Sequence, residues 1–248
     1  MLIQACLNGA RRPGEHPSIP WTPAQVAADA AATRRAGAGA VHVHPRGRGH
    51  AESLSAADVA DVCDAVRSAS PGLPIGVTTA AWIEPDVARR IAAIEAWHVL
   101  PDYASVNLNE AGAIEVIELL NERGVGVEAG IGSVAEARLL IDEGLDAACL
   151  RILVEVDDDL GPDEAVALAA AIDLVLDDGL SQSPRLHHGV GAATWMVIEA
   201  AMDRGHDVRI GLEDTLVWAD GRVVEGNAAL VAHVVGLADR AGRVVATP

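Results

Sequence analysis

Aromatic side chains are scarce in this chain of 248 residues, which has no phenylalanine, one tyrosine and five tryptophans. Since half of the chain is hydrophobic, its core must be built from alanine, valine, leucine and isoleucine. Cysteine is also rare: Cys6, Cys63 and Cys149 show no CxxC spacing. An odd number of cysteines without a pattern is typical of a protein in a reducing cytoplasm.

Basic residues are outnumbered two to one, with 18 Lys and Arg against 36 Asp and Glu and a net charge of −18. A surface of this sign repels phosphates, which argues against a nucleic-acid or membrane partner. No uncharged apolar run approaches the roughly 18 residues of a transmembrane helix. The opening stretch MLIQACLNGA lacks the basic region and the long apolar core of a signal peptide. We therefore expect a soluble, cytoplasmic protein.

Short β-rich runs alternate with longer segments of helical period. The predicted strands are Leu2–Leu7, Ala40–His44, Ile75–Thr79, Tyr103–Asn107, Gly126–Ala129, Ala147–Leu153, Arg185–His188 and Asp207–Gly211. The predicted helices are Pro23–Arg35, Ala56–Ser68, Pro85–Ala96, Ala111–Arg123, Val134–Glu143, Pro162–Leu176, Ala192–Arg204 and Asn227–Ala241. Many of these helices end in glycine before the next strand, which is typical of parallel βαβ units.

Eight strands and eight helices in a chain of 248 residues predict an α/β fold, a single (β/α)8 TIM barrel that forms one domain over residues 1–248. The alternative is a doubly wound open sheet. That fold favours a glycine-rich turn after the first strand, and the segment LNGARRPGEHP contains no GxGxxG motif. No low-complexity linker divides the chain.

A barrel places its catalytic groups at the carboxyl ends of the strands. His42 and His44, in the segment HVHPR, share one strand face about 6.5 Å apart, which suits two ligands of one metal or two core histidines that only hydrogen-bond. Glu213, after the last strand, is the predicted third ligand. Two imidazoles and one carboxylate leave coordination positions open, as in catalytic sites. Zn²⁺ is the first choice, and Fe²⁺ or Mn²⁺ fits the same ligands.

Other polar residues leave alternatives open. Arg209 either pairs with a neighbouring carboxylate or holds a substrate carboxylate. Of His187 and His188, one ring faces inward as a ligand, base, substrate contact or ordinary polar residue. The run Asp157–Asp159 is predicted to be a solvated loop. The remaining histidines are predicted to lie in loops or on helix surfaces without a role: His16, His50, His98, His206 and His233.

Three segments, CLNGAR…HPSIPWTP, AGAGAVHVHPR and VRIGLEDTL…EGNAALV, resemble the β-keto acid cleavage enzymes. This family includes the 3-keto-5-aminohexanoate cleavage enzyme. The resemblance runs from the first strand to the last helix. It rests on the HxHxR and RxGxED blocks in this order.

The resemblance implies a TIM barrel, commonly a homotetramer, that holds a divalent metal, usually zinc, on His42, His44 and Glu213. Known members condense a β-keto acid with acetyl-CoA and release acetoacetate and a new CoA ester. Asp214 then corresponds to the base, and Arg209 to a group that stabilises negative charge. The other positions implied for catalysis or substrate binding are Thr78, Asn8, Arg11, Ser105, Asn107 and Glu128.

The chain also departs from the family. Ala80 and Ala81 replace a glycine pair, and the loop VEVDDDLGPDE is acidic where members that use CoA are glycine-rich. An acidic loop repels the CoA phosphates, so a lyase or hydrolase that works without CoA is the alternative function. A non-catalytic metal-binding barrel is a third possibility. Arg11 stands where the aminohexanoate enzyme has a glutamate, which predicts a neutral or anionic keto acid as substrate.

Overall fold

A computed structural model of the protein describes residues 1–156 and 160–246. Within these ranges, eight parallel strands close into a barrel in chain order, with β1 paired to both β2 and β8. The strands are β1 (Ile3–Cys6), β2 (Ala40–Val43), β3 (Ile75–Thr78), β4 (Tyr103–Asn107), β5 (Gly126–Ile131), β6 (Arg151–Val156), β7 (Arg185–Gly189) and β8 (Asp207–Ile210). The acidic run Asp157–Asp159 lies outside the described residues.

A helix follows each strand, so the predicted (β/α)8 TIM barrel is confirmed. The helices are α1 (Pro23–Ala36), α2 (Ala56–Ala69), α3 (Val87–Glu95), α4 (Ala113–Glu122), α5 (Val134–Asp142), α6 (Pro162–Asp178), α7 (Thr194–Arg204) and α8 (Asn227–Arg240). Local sequence sets their ends: the Thr22 side chain caps α1 by accepting from the Gln25 amide, and Gly37 ends it in a left-handed conformation at φ 114°.

The sixth strand departs most from its predicted bounds, and the fifth runs two residues past its predicted end, to Ile131. Asp146–Ala148 forms a short 3₁₀ turn, and β6 extends to Val156 instead of ending at Leu153. The error has a physical cause, since a barrel strand is buried on both faces and an apolar run then carries no sign of where the strand ends. The correction matters for the site, because it puts Glu155 inside β6 and on the same face as Leu153.

The one tyrosine of the chain, Tyr103, lies in the barrel interior. Tyr103 is buried, donates from its hydroxyl to the Val41 carbonyl at 2.6 Å and accepts from the Gln4 amide at 3.0 Å. Its ring lies over Gly76 of the neighbouring strand β3, where a Cβ atom added to Gly76 would stand 1.9 Å from a ring carbon. Glycine at this position makes room for the ring.

Over the two described ranges, no helix combines the length and the apolar character that crossing a bilayer requires.

We predict that Gly76→Ala lowers the free energy of unfolding by about 1–3 kcal/mol, because the new methyl group displaces the Tyr103 ring from a filled core. Denaturant unfolding of the purified protein measures this. The control is Gly236→Ala in the middle of α8, whose nearest neighbour to an added Cβ is the flexible Arg240 side chain at 3.5 Å. The control is expected to be neutral or to stabilise by up to about 1 kcal/mol. Equal effects of the two changes would contradict the packing argument.

Candidate active site and metal centre

His42, His44 and Glu213 meet at the carboxyl ends of β2 and β8. One ligand-type atom from each lies within 4.8 Å of the others. His42 and His44 are buried, and the two rings stand edge to face with centroids 5.3 Å apart. His42 Nδ1 and Glu213 Oε2 are buried and have no hydrogen-bond partner among residues 1–156 and 160–246. Unpartnered nitrogen and oxygen atoms in a cluster of this spacing fit a metal ion.

His44 is held from three sides. Its Nδ1 lies 2.5 Å from Glu52 Oε1, and the Trp82 indole stacks on the ring at 6.3 Å. Asn8 fixes the backbone, since its side chain accepts from the His44 amide at 2.9 Å and donates to the His44 carbonyl at 3.0 Å. Burial alone would lower the pKa of His44, but Glu213 and Glu52 outweigh burial and raise it. A carboxylate on the far nitrogen is the usual support of a metal-binding histidine.

Two arginines hold Glu213. Arg209, buried in β8, contacts Glu213 Oε1 directly. Arg11 reaches the backbone of the same turn and donates to the Leu212 carbonyl at 2.8 Å and the Glu213 carbonyl at 3.0 Å. Burial would raise the pKa of Glu213, but Arg209 and His44 hold it well below its usual range. Glu213 is therefore a carboxylate, and its Oε2 remains available as a ligand.

Asp214 lies beside this cluster, fully buried and anchored at both oxygens. The Cys6 thiol donates to its Oδ2 at 2.8 Å, and the His188 Nδ1 lies 3.1 Å from its Oδ1. Burial and Arg209 lower the pKa of His188, but Asp214 and Glu155 outweigh them and raise it to about 9. Below that pH, the charged imidazole and Asp214 form an ion pair. Cys6 remains a thiol, because burial raises its pKa.

The pocket at this end of the barrel contains most of the predicted site residues. It is lined by His42, His44, Thr78, Trp82, Ser105, Asn107, Leu153, Glu155, Arg209 and Glu213. Four predicted site residues are not in this lining: Asn8, Arg11, Glu128 and Asp214. Asn8 and Arg11 instead bind the backbone of the ligand-bearing segments. Glu128 faces the interior and accepts from the Gln4 amide at 2.5 Å, and burial raises its pKa.

Sequence patterns missed two residues near the pocket. Glu52 and Trp82 come from loops, where no periodicity indicates direction. Glu155 received no predicted role, and the choice between His187 and His188 was left open. Strand alternation assigns both Glu155 and His188, since they share faces with Leu153 and Leu186 respectively.

Two of the histidines predicted to lie in loops or on helix surfaces do lie in loops, but each has specific neighbours. His16 is buried and its Nε2 lies 2.9 Å from the Val224 carbonyl. His206 belongs to a second cluster with Asp173 and His187.

The sequence matches the family model described as beta-keto acid cleavage enzyme over residues 1–248. The chain belongs to this family. It is 26% identical over 269 residues to a 3-keto-5-aminohexanoate cleavage enzyme of Fusobacterium nucleatum, across 100% of this chain and 94% of that protein. A protein of the same name from Acetoanaerobium sticklandii is 25% identical, across 100% of this chain and 95% of its own length. The family is enzymatic and cleaves β-keto acids, as the resemblance in the motifs implied.

Solved structures support the fold of this family member. The complex of ObcA with oxaloacetate superimposes with a TM-score of 0.76 at 16% identity, over 94% of this chain and 66% of the ObcA chain. A type I 3-dehydroquinate dehydratase from Clostridium difficile gives a TM-score of 0.66 at 10% identity, over 96% of this chain and 91% of that chain. At these identities the likeness concerns the fold alone.

We predict that Glu52→Gln weakens Zn²⁺ binding by roughly 10- to 100-fold, because His44 loses the charged partner that orients its ring. Competition with a chromophoric chelator measures the affinity. Glu84→Gln is the matched control, since Glu84 lies two residues after Trp82 in the same loop and, within the described residues, pairs with Arg89 and the Asp86 amide instead of the site. An unchanged affinity in Glu52→Gln would remove Glu52 from the support of the site.

Proposed function

We propose that the protein is a metal-dependent β-keto acid cleavage enzyme that condenses a β-keto acid with acetyl-CoA to give acetoacetate and a new CoA ester. One observation carries the proposal. In a chain of this family, three ligand-type side chains, His42, His44 and Glu213, adjoin a buried carboxylate, Asp214, and a buried arginine, Arg209, at the barrel mouth. Such an arrangement suits the removal of a proton next to a carbonyl group.

His42, His44 and Glu213 would hold a divalent metal, and the donor set favours Zn²⁺ while also fitting Fe²⁺ or Mn²⁺. When bound, the metal would supply Lewis-acid polarisation of the keto and carboxylate oxygens of the substrate. Burial, reinforced by the Arg209 charge, lowers the pKa of His42, so this ring offers a neutral nitrogen. The unpartnered Oε2 of Glu213 completes the set.

Asp214 is the proposed base that removes a proton from the carbon between the two carbonyl groups of the keto acid. Its contacts with Cys6 and His188 keep the carboxylate in one orientation. Arg209 lines the pocket, and its Nε lies 3.9 Å from Asp214 Oδ1, so its charge would stabilise the negative charge that develops on the substrate. The enolate carbon then attacks the thioester carbonyl of acetyl-CoA and displaces the CoA thiolate. The thiolate adds to the original keto carbon, and the bond between that carbon and the former enolate carbon breaks. The new CoA ester is released, and Asp214 returns the proton to the carbanion, which gives acetoacetate.

Thr78, Ser105 and Asn107 are the proposed polar contacts of the substrate, because all three line the pocket. Asn8 and Arg11 act indirectly, because they position His44 and Glu213 through hydrogen bonds to the backbone. Acetyl-CoA as the co-substrate is supported by the family. A related fold, ObcA, also occurs in a ternary complex with a C4-CoA adduct and oxalate. A homotetramer remains the assembly implied by the family resemblance.

Glu155 is the proposed determinant of the substrate side chain. It lines the pocket, and its Oε2 lies 3.6 Å from His188 Nε2. Burial would raise the pKa of Glu155, but His188 outweighs it and lowers the pKa, so the group is negative. Arg11, on which the expected preference for a neutral or anionic keto acid rested, donates to backbone carbonyls. We therefore propose a keto acid whose side chain is neutral or cationic.

We predict that Asp214→Asn lowers the rate of acetyl-CoA-dependent acetoacetate formation by roughly 10²- to 10⁴-fold, the usual contribution of a general base. Metal content should remain that of the unmodified protein, because Asp214 is not a proposed ligand. Asp220→Asn, an exposed aspartate of the following loop, is the control and should keep full activity.

Activity of the unmodified protein is compared with and without acetyl-CoA. Turnover without acetyl-CoA would overturn the acyl exchange and favour the lyase or hydrolase alternative. Undiminished activity of Asp214→Asn would overturn the assignment of the base.

We predict that Glu155→Gln shifts kcat/KM toward anionic keto acids, because it removes the carboxylate that repels a negatively charged side chain. A panel with cationic, neutral and anionic side chains measures this, and one tenfold change in relative kcat/KM corresponds to about 1.4 kcal/mol. Glu110→Gln, a carboxylate that binds Asn107 and the Ala81 amide, is the control for a general loss of charge near the mouth. A panel profile unchanged by Glu155→Gln would show that Glu155 does not face the side chain.

A further inference from the structure

A second group of ligand-type side chains lies outside the barrel wall, between α6 and the strands β7 and β8. It consists of Asp173 in α6, His187 in β7 and His206 in the turn before β8, with one donor atom from each within 4.8 Å of the others. Successive side chains of a strand point to opposite faces. His188 faces the catalytic pocket, so its neighbour His187 faces outward, toward α6.

The spacing of the donor atoms suits a small cation. His187 Nε2 lies 3.2 Å from Asp173 Oδ1, and His206 Nε2 lies 3.4 Å from Asp173 Oδ2. Donors bound to one tetrahedral Zn²⁺ at about 2.0–2.1 Å stand roughly 3.3 Å apart, which both distances match. The two imidazole rings are stacked at 4.7 Å with an interplanar angle of 15°, and both Nε2 atoms lie near the same carboxylate.

Several polar atoms of the cluster are buried without a well-formed hydrogen bond. His187 is 0% exposed, and neither of its ring nitrogens makes a well-formed hydrogen bond within the described part of the chain. Asp173 is 4% exposed; its Oδ1 accepts from Arg185 at 3.2 Å, whereas its Oδ2 makes only ion-pair contacts among the described residues. Buried polar groups of folded proteins are almost always hydrogen-bonded or bound to an ion. We propose that Asp173, His187 and His206 form a second, structural metal site that takes Zn²⁺ or a similar transition metal.

Two arginines lower the metal affinity of this second site. Arg185 Nη1 lies 3.2 Å from Asp173 Oδ1, and Arg204 Nε lies 3.1 Å from Oδ2, so both compete with a metal for the carboxylate. If a metal also binds the Asp173 carboxylate, Arg185 keeps two other partners, Asp177 at 2.5 Å and the Asp173 carbonyl at 3.2 Å. The two imidazoles favour Zn²⁺ or Co²⁺ over Mg²⁺ or Ca²⁺. The second site is therefore weaker than the site at the barrel mouth.

The place of the cluster points to a structural role. Its ligands join α6, β7 and the turn that starts β8, near the amino-terminal end of the barrel. In TIM barrels this end serves stability, whereas catalysis belongs to the opposite face. A metal that binds only the folded protein raises its stability by mass action. Occupancy of the second site is therefore expected to raise the melting temperature without changing catalysis.

The test is a Zn²⁺ titration of metal-free protein, followed by calorimetry and by thermal unfolding. The unmodified protein should bind two Zn²⁺ per chain. His206→Asn, at a half-buried position, should lose the weaker site, with affinity reduced by at least about tenfold, and keep its activity. The control is His233→Asn, whose ring packs on Trp195 and Trp218 and contacts no member of the cluster. This control should bind two Zn²⁺ per chain.

A double substitution at the barrel-mouth site distinguishes metal binding at the two sites. His42→Ala combined with His44→Ala should still bind one Zn²⁺, and adding His206→Asn should abolish it. One Zn²⁺ per unmodified chain, or identical titrations of His206→Asn and the unmodified protein, would overturn the proposal. If the double variant does not fold, Co²⁺ titrations of the unmodified protein and of His206→Asn, followed by absorption, replace it. The proposal then requires the unmodified protein to bind one more equivalent of Co²⁺ than His206→Asn.

Discussion

Arg209 places a positive charge inside the barrel at 2% exposure, and the catalytic end of the molecule is organised by the need to neutralise that charge. A buried guanidinium is costly without partners. Glu213 contacts it directly and Asp214 lies 3.9 Å away. The contact keeps Glu213 ionised, and an ionised Glu213 is what raises the pKa of His44. The buried Arg209 thus keeps the proposed ligand Glu213 ionised and, through Glu213, favours the charged form of His44.

The same end of the barrel is held by contacts that never reach the substrate. Asn8 binds both backbone groups of His44, and Arg11 binds the carbonyl of Glu213. Glu52 and Trp82 cover the far side of the His44 ring. Since a metal or substrate site loses function when its ligands shift by about 1 Å, these supports matter as much as the groups that do the chemistry. They come from loops after β1, β2 and β3, so the site depends on the closure of the barrel.

Adjacent histidines in β7 illustrate how much the strand geometry decides. His188 turns inward to Asp214 and Glu155, whereas His187 turns outward to Asp173 and His206. The sequence predicted that one of the two faces inward without telling which. The outcome follows from the register of β7 against β6, in which Glu155 lies opposite His188. One residue step therefore separates the proposed catalytic site from the proposed structural site.

The sequence by itself determined the barrel, because alternating apolar strands and helical segments have one common closed arrangement. It also determined the grouping of His42, His44 and Glu213, because the strand ends of a barrel converge. It could not supply the end of β6, since a strand buried on both faces has no polar alternation to mark its limit. Nor could it supply Glu52, Trp82 or the partners of Asp173, which approach from separate segments. Only the tertiary structure decided those contacts, because they depend on distances between loops and helices that no local pattern encodes.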